Sequence, residues 1–165
     1  MNGTAFRPTL LNGCARAATA AEARFRISDD NSRPRKLSVF ALDPQAETAL
    51  LPLASQAWHG ARFLACSSGD DASSVLLRAF NGPAGTLESE LEGVDLVVMV
   101  AHSPVGGRAA MEIARCCVAR GVRPLGLVLS NAAGGVASAL RPWASVLVVS
   151  GDEEYLEEML RALRG

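Results

Sequence analysis

The fold is decided by residues 95–107, which read DLVVMVAHSPVGG. The apolar run Leu96 to Ala101 is far shorter than the roughly 20 residues that cross a bilayer. This apolar run predicts a strand that is buried on both faces, as in the centre of a parallel sheet. Ser103 and the pair Gly106-Gly107 follow at once, and a stretch of helical composition comes next. The run therefore predicts a central strand, a short loop and the start of a crossover helix.

Short apolar runs alternate with helical stretches from Leu37 to the end of the chain. The predicted strands are Leu37–Leu42, Arg62–Cys66, Val94–Ala101, Leu125–Leu129 and Ser145–Val149. The predicted helices are Glu47–His59, Ser73–Phe80, Arg108–Arg120, Val136–Trp143 and Glu153–Leu163, with one further turn at Thr86–Leu91. Strands that alternate with helices form parallel sheets with helices on both faces. We therefore expect a three-layer Rossmann-like (flavodoxin-like) α/β domain over residues 37–165, with a five-stranded, mostly parallel sheet.

Composition and charge limit the classes of partner. The chain has 165 residues, of which 49% are hydrophobic and 20% charged, enough for one sizeable core. Residues 1–36 carry seven basic side chains against three acidic ones, whereas the remainder has nine basic against fourteen acidic. Because the basic residues of the body are scattered, nucleic acid is an unfavoured partner. The use of fifteen Arg and a single Lys suggests a bacterial gene.

The basic segment 1–36 shows no clean strand alternation. We expect a flexible or loosely docked N-terminal extension. Two alternatives stay open: a targeting signal, and a helix over Ala15 to Ile27 that docks on a partner subunit.

The cysteines do not form a metal-binding pattern. Cys14 and Cys66 stand alone, and Cys116 and Cys117 are adjacent, so their side chains diverge by about 100° on a helix. This spacing predicts no metal site. We expect reduced thiols in a reducing compartment, which indicates a cytoplasmic protein. The short apolar runs predict no membrane partner. Since neither GxxxxGK[ST] nor an early GxGxxG is present, the sequence identifies no cofactor.

The loops that leave the carboxyl ends of the strands are rich in serine and glycine. Ligands of open parallel sheets bind at that edge. Small hydroxyl residues and glycines at a helix start suit an anion, and an arginine pairs with phosphate in a bidentate way. We therefore predict a small phosphorylated ligand, a sugar phosphate or a nucleotide, bound by Ser67, Ser68, Ser103, Gly106, Gly107, Arg108, Ser130 and Asn131.

Two titratable side chains stand at the same predicted edge. His102 follows the central strand and Asp43 follows the first one. Either is a candidate for acid–base catalysis of an isomerisation or a group transfer. Asp43 also suits a helix cap, and His102 also suits a structural or binding role, so catalysis stays open at this point.

Several stretches resemble the sugar isomerase (SIS) domain, a five-stranded parallel α/β module that binds phosphosugars. They are Asp95–Gly106, Ser130–Leu140, Ala144–Val149 and Ala65–Ser68, and the resemblance spans about residues 37 to 152. It implies phosphosugar binding and an isomerase-like activity. Pro104 and Val105 stand where that family has a Ser-Gly pair. The stretch from Leu91 through Gly106-Gly107 to Ile113-Ala114 also looks like the glycine-loop region of the tubulin/FtsZ family.

A second class of function is a non-catalytic module that serves assembly. Isolated α/β domains of this size often form homo-oligomers. In this interpretation the basic segment 1–36 and the helix around Arg115–Cys117 lie at a subunit interface.

Overall fold

The computed structural model of the chain describes residues 35–68, 75–129, 134–152 and 154–164. These residues form a six-stranded sheet with helices packed on both faces. The strands are β1 (Leu37–Ala41), β2 (Ala61–Ser68), β3 (Val75–Ala79), β4 (Leu96–Ala101), β5 (Arg123–Leu129) and β6 (Val146–Ser150). The helices are α1 (Pro44–Ala54), α2 (Leu87–Glu90), α3 (Gly107–Arg120), α4 (Gly134–Leu140) and α5 (Glu154–Arg164). The predicted three-layer Rossmann-like architecture is confirmed.

The strand order is β3-β2-β1-β4-β5-β6. Five strands are parallel, and β3 alone runs antiparallel, at one edge beside β2. From β1 the chain moves outward to β2 and β3, then returns to place β4 on the other side of β1. The helices that follow β1 and β4, α1 and α3, therefore pack on opposite faces of the sheet, as they do at the point where open α/β sheets bind ligands.

The strand count and one helix were predicted wrongly. The sequence predicted a helix over Ser73–Phe80, whereas residues 75–79 form β3 and pair with β2 from Leu64↔Ala79 to Ser68↔Val75. Leucine, arginine and alanine favour a helix, but five residues are too few to hold one alone. Pairing with β2 decides the conformation because it buries Ala79 and adds a row of ladder hydrogen bonds.

The centre of the sheet is buried on both faces, as predicted for β4. All five residues of β1 and all but Leu96 in β4 are buried. On one face the strands pack against α1 and α5, and on the other against α2, α3 and α4. Among the described residues, no helix is both long enough and apolar enough to span a membrane.

The helix ends follow the predicted signals. Asp43 caps α1 and Pro44 occupies its first position, while Thr86 caps α2 by accepting a hydrogen bond from the main-chain N–H of Ser89. Gly121 ends α3 with φ +68°, a left-handed conformation that favours glycine. Helix α1 ends at Ala54, earlier than predicted.

Candidate functional site

The carboxyl edge of the sheet is organised around one buried carboxylate. Asp43 is only 3% exposed. Its Oδ1 accepts a hydrogen bond from the N–H of Ala46 at 2.9 Å, which caps α1. Its Oδ2 accepts from the N–H groups of His102 at 2.7 Å and Ser103 at 2.9 Å. The side chain thereby joins the start of α1 to the exit of β4.

These three hydrogen bonds define what Asp43 does at the edge. One main-chain donor engages Oδ1 and two engage Oδ2, so both oxygens hold main-chain groups in place. The geometry therefore gives Asp43 a structural part, holding the loop after β4, rather than direct contact with a reacting atom. The alternative that the sequence left open for Asp43, a helix cap, accounts for one of the three contacts.

Gly106 brings this loop against the end of β1. A Cβ atom on Gly106 would lie 2.4 Å from the Cβ of Leu42 and 2.9 Å from its carbonyl oxygen, so only glycine fits. Gly107 is less constrained, since the nearest atom to its Cβ position is the Cβ of Ala139 at 3.6 Å. The N–H of Gly107 donates to the carbonyl of Pro104. The N–H of Gly107 is therefore used within the turn, and the predicted contact of the two amides with a phosphate stays a prediction.

The first turn of α3 differs in charge from those of α1 and α2. Helix α1 has Asp43 as its cap and Glu47 in its first turn, and α2 has Thr86 with two glutamates. Helix α3 has no side-chain cap and no acid in its first turn. It has instead Arg108, which is exposed and makes no hydrogen bond or ion pair with any described residue.

His102 and Ser103 lie just before the start of α3. Both are half-buried, and their main-chain N–H groups are held by Asp43. Ser103 precedes a short 3₁₀ turn, Pro104–Gly106, without capping it through its hydroxyl. Within the described residues, neither side chain has a hydrogen-bond partner, so the hydroxyl and the imidazole are available to a ligand.

The structure does not show the remaining predicted residues in contact with this loop. Ser67 and Ser68 lie in β2, which continues past the end of β1 as a hairpin with β3. The Ser67 hydroxyl lies 3.5 Å from the carbonyl oxygen of Leu76, and the side chain of Ser68 lies outside the described residues. Ser130 and Asn131 also lie outside them. Among the described residues, no group of three or more His, Cys, Asp or Glu side chains forms a metal site.

A polar cluster at the opposite, amino edge was missed by sequence reasoning. The carboxylate of Glu90 accepts hydrogen bonds from the guanidinium of Arg62, through Nε and through Nη2 at 3.0 Å, and from the N–H of Gly85 at 2.8 Å. The buried hydroxyl of Ser38 donates to the carbonyl of Glu90 at 3.0 Å. These contacts fix α2 against β1 and β2. Because 28 residues separate Arg62 from Glu90, no local spacing reveals the pair.

The charge of Glu90 follows from these partners. Burial raises the pKa of its carboxyl, but the hydrogen bonds from Arg62 and Gly85 and the charge of the guanidinium outweigh burial and lower the pKa below its ordinary value of 4.5. A cavity of about 370 Å³ adjoins the pair, and Lys36, Trp58 and Glu92 contribute to its walls. Since Arg62 and Glu90 neutralise each other, the pair acts as a structural anchor.

The helix segment predicted to form an interface is only partly accessible. Arg115 is exposed and Cys116 half-buried, but Cys117 is fully buried and burial raises the pKa of its thiol to about 11. Burial likewise raises the pKa of the Cys66 thiol to about 12. These values keep both thiols protonated at neutral pH, so neither suits a nucleophile.

Replacing Asp43 by serine tests whether the carboxylate holds the loop after β4. Serine still caps α1, but its side chain is too short to reach the N–H groups of His102 and Ser103. We expect Asp43→Ser to lower the free energy of unfolding by about 3 kcal/mol, for two lost hydrogen bonds to a charged acceptor. Urea denaturation measures this loss. Asp43→Ala serves as the reference for losing the cap as well, and wild-type stability in the serine variant would contradict the role of the loop contacts.

The two adjacent glycines provide a matched pair of variants. Gly106→Ala places a methyl group against the main chain of Leu42 and should destabilise the protein by about 1–3 kcal/mol. Gly107→Ala meets no close atom and adds helix propensity, so we expect a neutral or slightly stabilising effect of up to about 1 kcal/mol. Thermal melts of the two variants compare them directly. Equal melting temperatures would show that the contact of Gly106 with Leu42 is not restrictive.

The ion pair at the amino edge predicts a pH dependence. Because the pKa of Glu90 is lowered in the folded state, its contribution to stability is present above about 4.5 and is lost as the pH falls through the folded-state pKa. Glu90→Gln should cost about 2 kcal/mol at neutral pH and flatten the stability profile below that value. The control is Glu92→Gln, which removes an exposed glutamate two residues away. An unchanged acid profile in Glu90→Gln would contradict the assignment.

Comparison with known proteins adds no family to this description. No family model, no curated protein and no solved structure matches the chain. The resemblance to the SIS domain stays a prediction that rests on the residues quoted for it.

Proposed function

We propose that this chain binds a small phosphorylated ligand, a sugar phosphate or a nucleotide, at the carboxyl edge of its sheet. The observation that carries the proposal is the first turn of α3, which has no acid and no side-chain cap but has the exposed Arg108. A cation at a helix N-terminus faces the positive end of the helix dipole, which is unfavourable by about 0.3–1 kcal/mol. A bound phosphate reverses the sign of this interaction, since it attracts both the helix end and the guanidinium.

The position of the turn supports the proposal. It leaves β4 next to β1, where the strand order reverses and where ligands of open α/β sheets bind. The three hydrogen bonds of Asp43 hold the turn before any ligand arrives, so that binding orders little additional chain. Arg108 supplies the charge and Ser103 a hydroxyl, while Ser67, Ser68, Ser130 and Asn131 remain predicted contacts.

Of the two candidates for acid–base catalysis, we retain only His102. We assign Asp43 the holding of the loop rather than proton transfer, because its oxygens already accept three main-chain hydrogen bonds. His102 lies at the same edge with its side chain unengaged among the described residues. An isomerisation or group transfer would therefore depend on this imidazole, and that role stays a prediction.

A thermal-shift screen with Arg108→Ala tests the proposal. The panel contains sugar phosphates, nucleotides, dinucleotides and inorganic phosphate. A ligand at 100 times its dissociation constant should add about 2.7 kcal/mol to the stability of the wild type, a shift of several degrees. Loss of a charge-assisted contact in Arg108→Ala should weaken binding about tenfold or more. The melting temperature of the free protein should stay the same or rise slightly, because the arginine opposes the helix dipole.

The control is Arg115→Ala, which removes another exposed arginine from the same helix. It should bind the same ligand with wild-type affinity. A response confined to sugar phosphates supports the SIS-like interpretation, and one confined to nucleotides supports a nucleotide-binding variant of the fold. No response to any compound, or equal affinity in Arg108→Ala, would contradict the proposal.

A further inference from the structure

Among the strands that the structure describes, β6 is the last one on the side of the sheet away from β3. Strand β6 pairs with β5 along one edge, and no strand among the described residues pairs with its other edge. Two of its side chains, Val146 and Val149, are 55% and 49% exposed. Since they are three residues apart in a strand, they face opposite sides of the sheet. Both faces of the sheet therefore carry uncovered apolar surface at this edge.

Strand β6 also lacks the features that protect sheet edges from pairing. Natural edge strands have charged residues, prolines or bulges, which discourage the addition of another strand. The residues of β6 read VLVVS, without charge, proline or glycine. The opposite edge strand, β3, contains Arg78, which is paired with Glu47 of α1. Of the two edges, the one at β6 is thus suited to receive a strand.

The charges around β6 indicate which strand it receives. Exposed Arg141 precedes β6, and Arg123 begins the neighbouring strand at the same end of the sheet. Exposed Asp152 follows the carboxyl end of β6. An antiparallel pair of two β6 strands brings the basic end of one copy alongside the acidic end of the other, whereas a parallel pair brings like charges together. Charge complementarity therefore favours a second copy of this chain in antiparallel orientation.

We propose that β6 pairs antiparallel with β6 of a second copy, so that one sheet runs through a twofold-symmetric dimer. The register that pairs all five residues is centred on Val148. In it, Val146 lies opposite Ser150 of the partner subunit and Leu147 lies opposite Val149 of the partner subunit, which covers the exposed valines on both faces. The interface is two strands away from β4, so it leaves the proposed phosphate site open.

Sedimentation equilibrium of the full chain tests the dimer. The wild type should dimerise, and Val149→Lys should raise the dissociation constant at least about tenfold because an ammonium group enters the apolar pair. Val146→Lys provides a second variant on the opposite face. The matched control is Leu76→Lys on β3, since Leu76 is 54% exposed on the other edge strand. Circular dichroism melts establish that each variant is folded.

A wild type that stays monomeric over the whole concentration range overturns the proposal. So does equal weakening by Leu76→Lys and by the two β6 variants. In addition, amide hydrogen exchange of residues 146–150 in the wild type should slow as the protein concentration rises, and concentration-independent exchange there overturns the proposal without any substitution.

Oxidative cross-linking tests the orientation. In an antiparallel pair only the residue on the twofold axis faces itself, so Val148→Cys should give a disulfide-linked dimer beyond the level of the wild type. Val146→Cys should not, because its counterpart lies about 13 Å away along the partner strand. Cross-linking of both variants to the same extent indicates a parallel pair and overturns the antiparallel assignment.

Discussion

The arrangement of the carboxyl edge depends on one carboxylate that accepts three main-chain hydrogen bonds. Asp43 caps α1 with one oxygen and holds the N–H groups of His102 and Ser103 with the other. Strands β1 and β4 are neighbours at the point where the strand order reverses. In many open α/β proteins the loops at this point separate around a ligand. Here the carboxylate of Asp43 joins them, and the phosphate site that we propose consists of side chains on the loop that Asp43 holds in place.

The hydrogen bonds of Asp43 also determine what the residues of the loop after β4 can contact. Gly106 has no side chain and could let a phosphate approach the main chain, but the space beside it is filled by Leu42. The amide of Gly107 is bonded to Pro104. In our proposal, recognition of an anion depends on the dipole of α3 and on the side chains of Arg108 and Ser103, which make no hydrogen bond or ion pair with the described residues. Because Asp43 already holds this turn, we expect binding to cost little conformational entropy.

The sequence predicts elements well where local signals are strong, and poorly where distant residues decide. Local signals predict four features correctly: the strands β1 and β4, the start of α1 at Asp43-Pro44 and the end of α3 at Gly121. In each case the residues of the segment itself favour the observed conformation. The segment Ser73–Phe80 is predicted as a helix because leucine, arginine and alanine favour one, and pairing of residues 75–79 with β2 overrides this preference. Asp43 was recognised as a cap, but its contacts with residues 59 and 60 positions away leave no local pattern.

We propose that a phosphate group binds at the first turn of α3. Amide chemical shifts of isotope-labelled full-length protein, followed during titration with inorganic phosphate and then with a sugar phosphate and a nucleotide, test it most directly. We expect saturable shifts concentrated at residues 102–109, with a dissociation constant at least about tenfold higher in Arg108→Ala. Shifts confined to the cavity beside Arg62 and Glu90, or no saturable shift at residues 102–109, would contradict it.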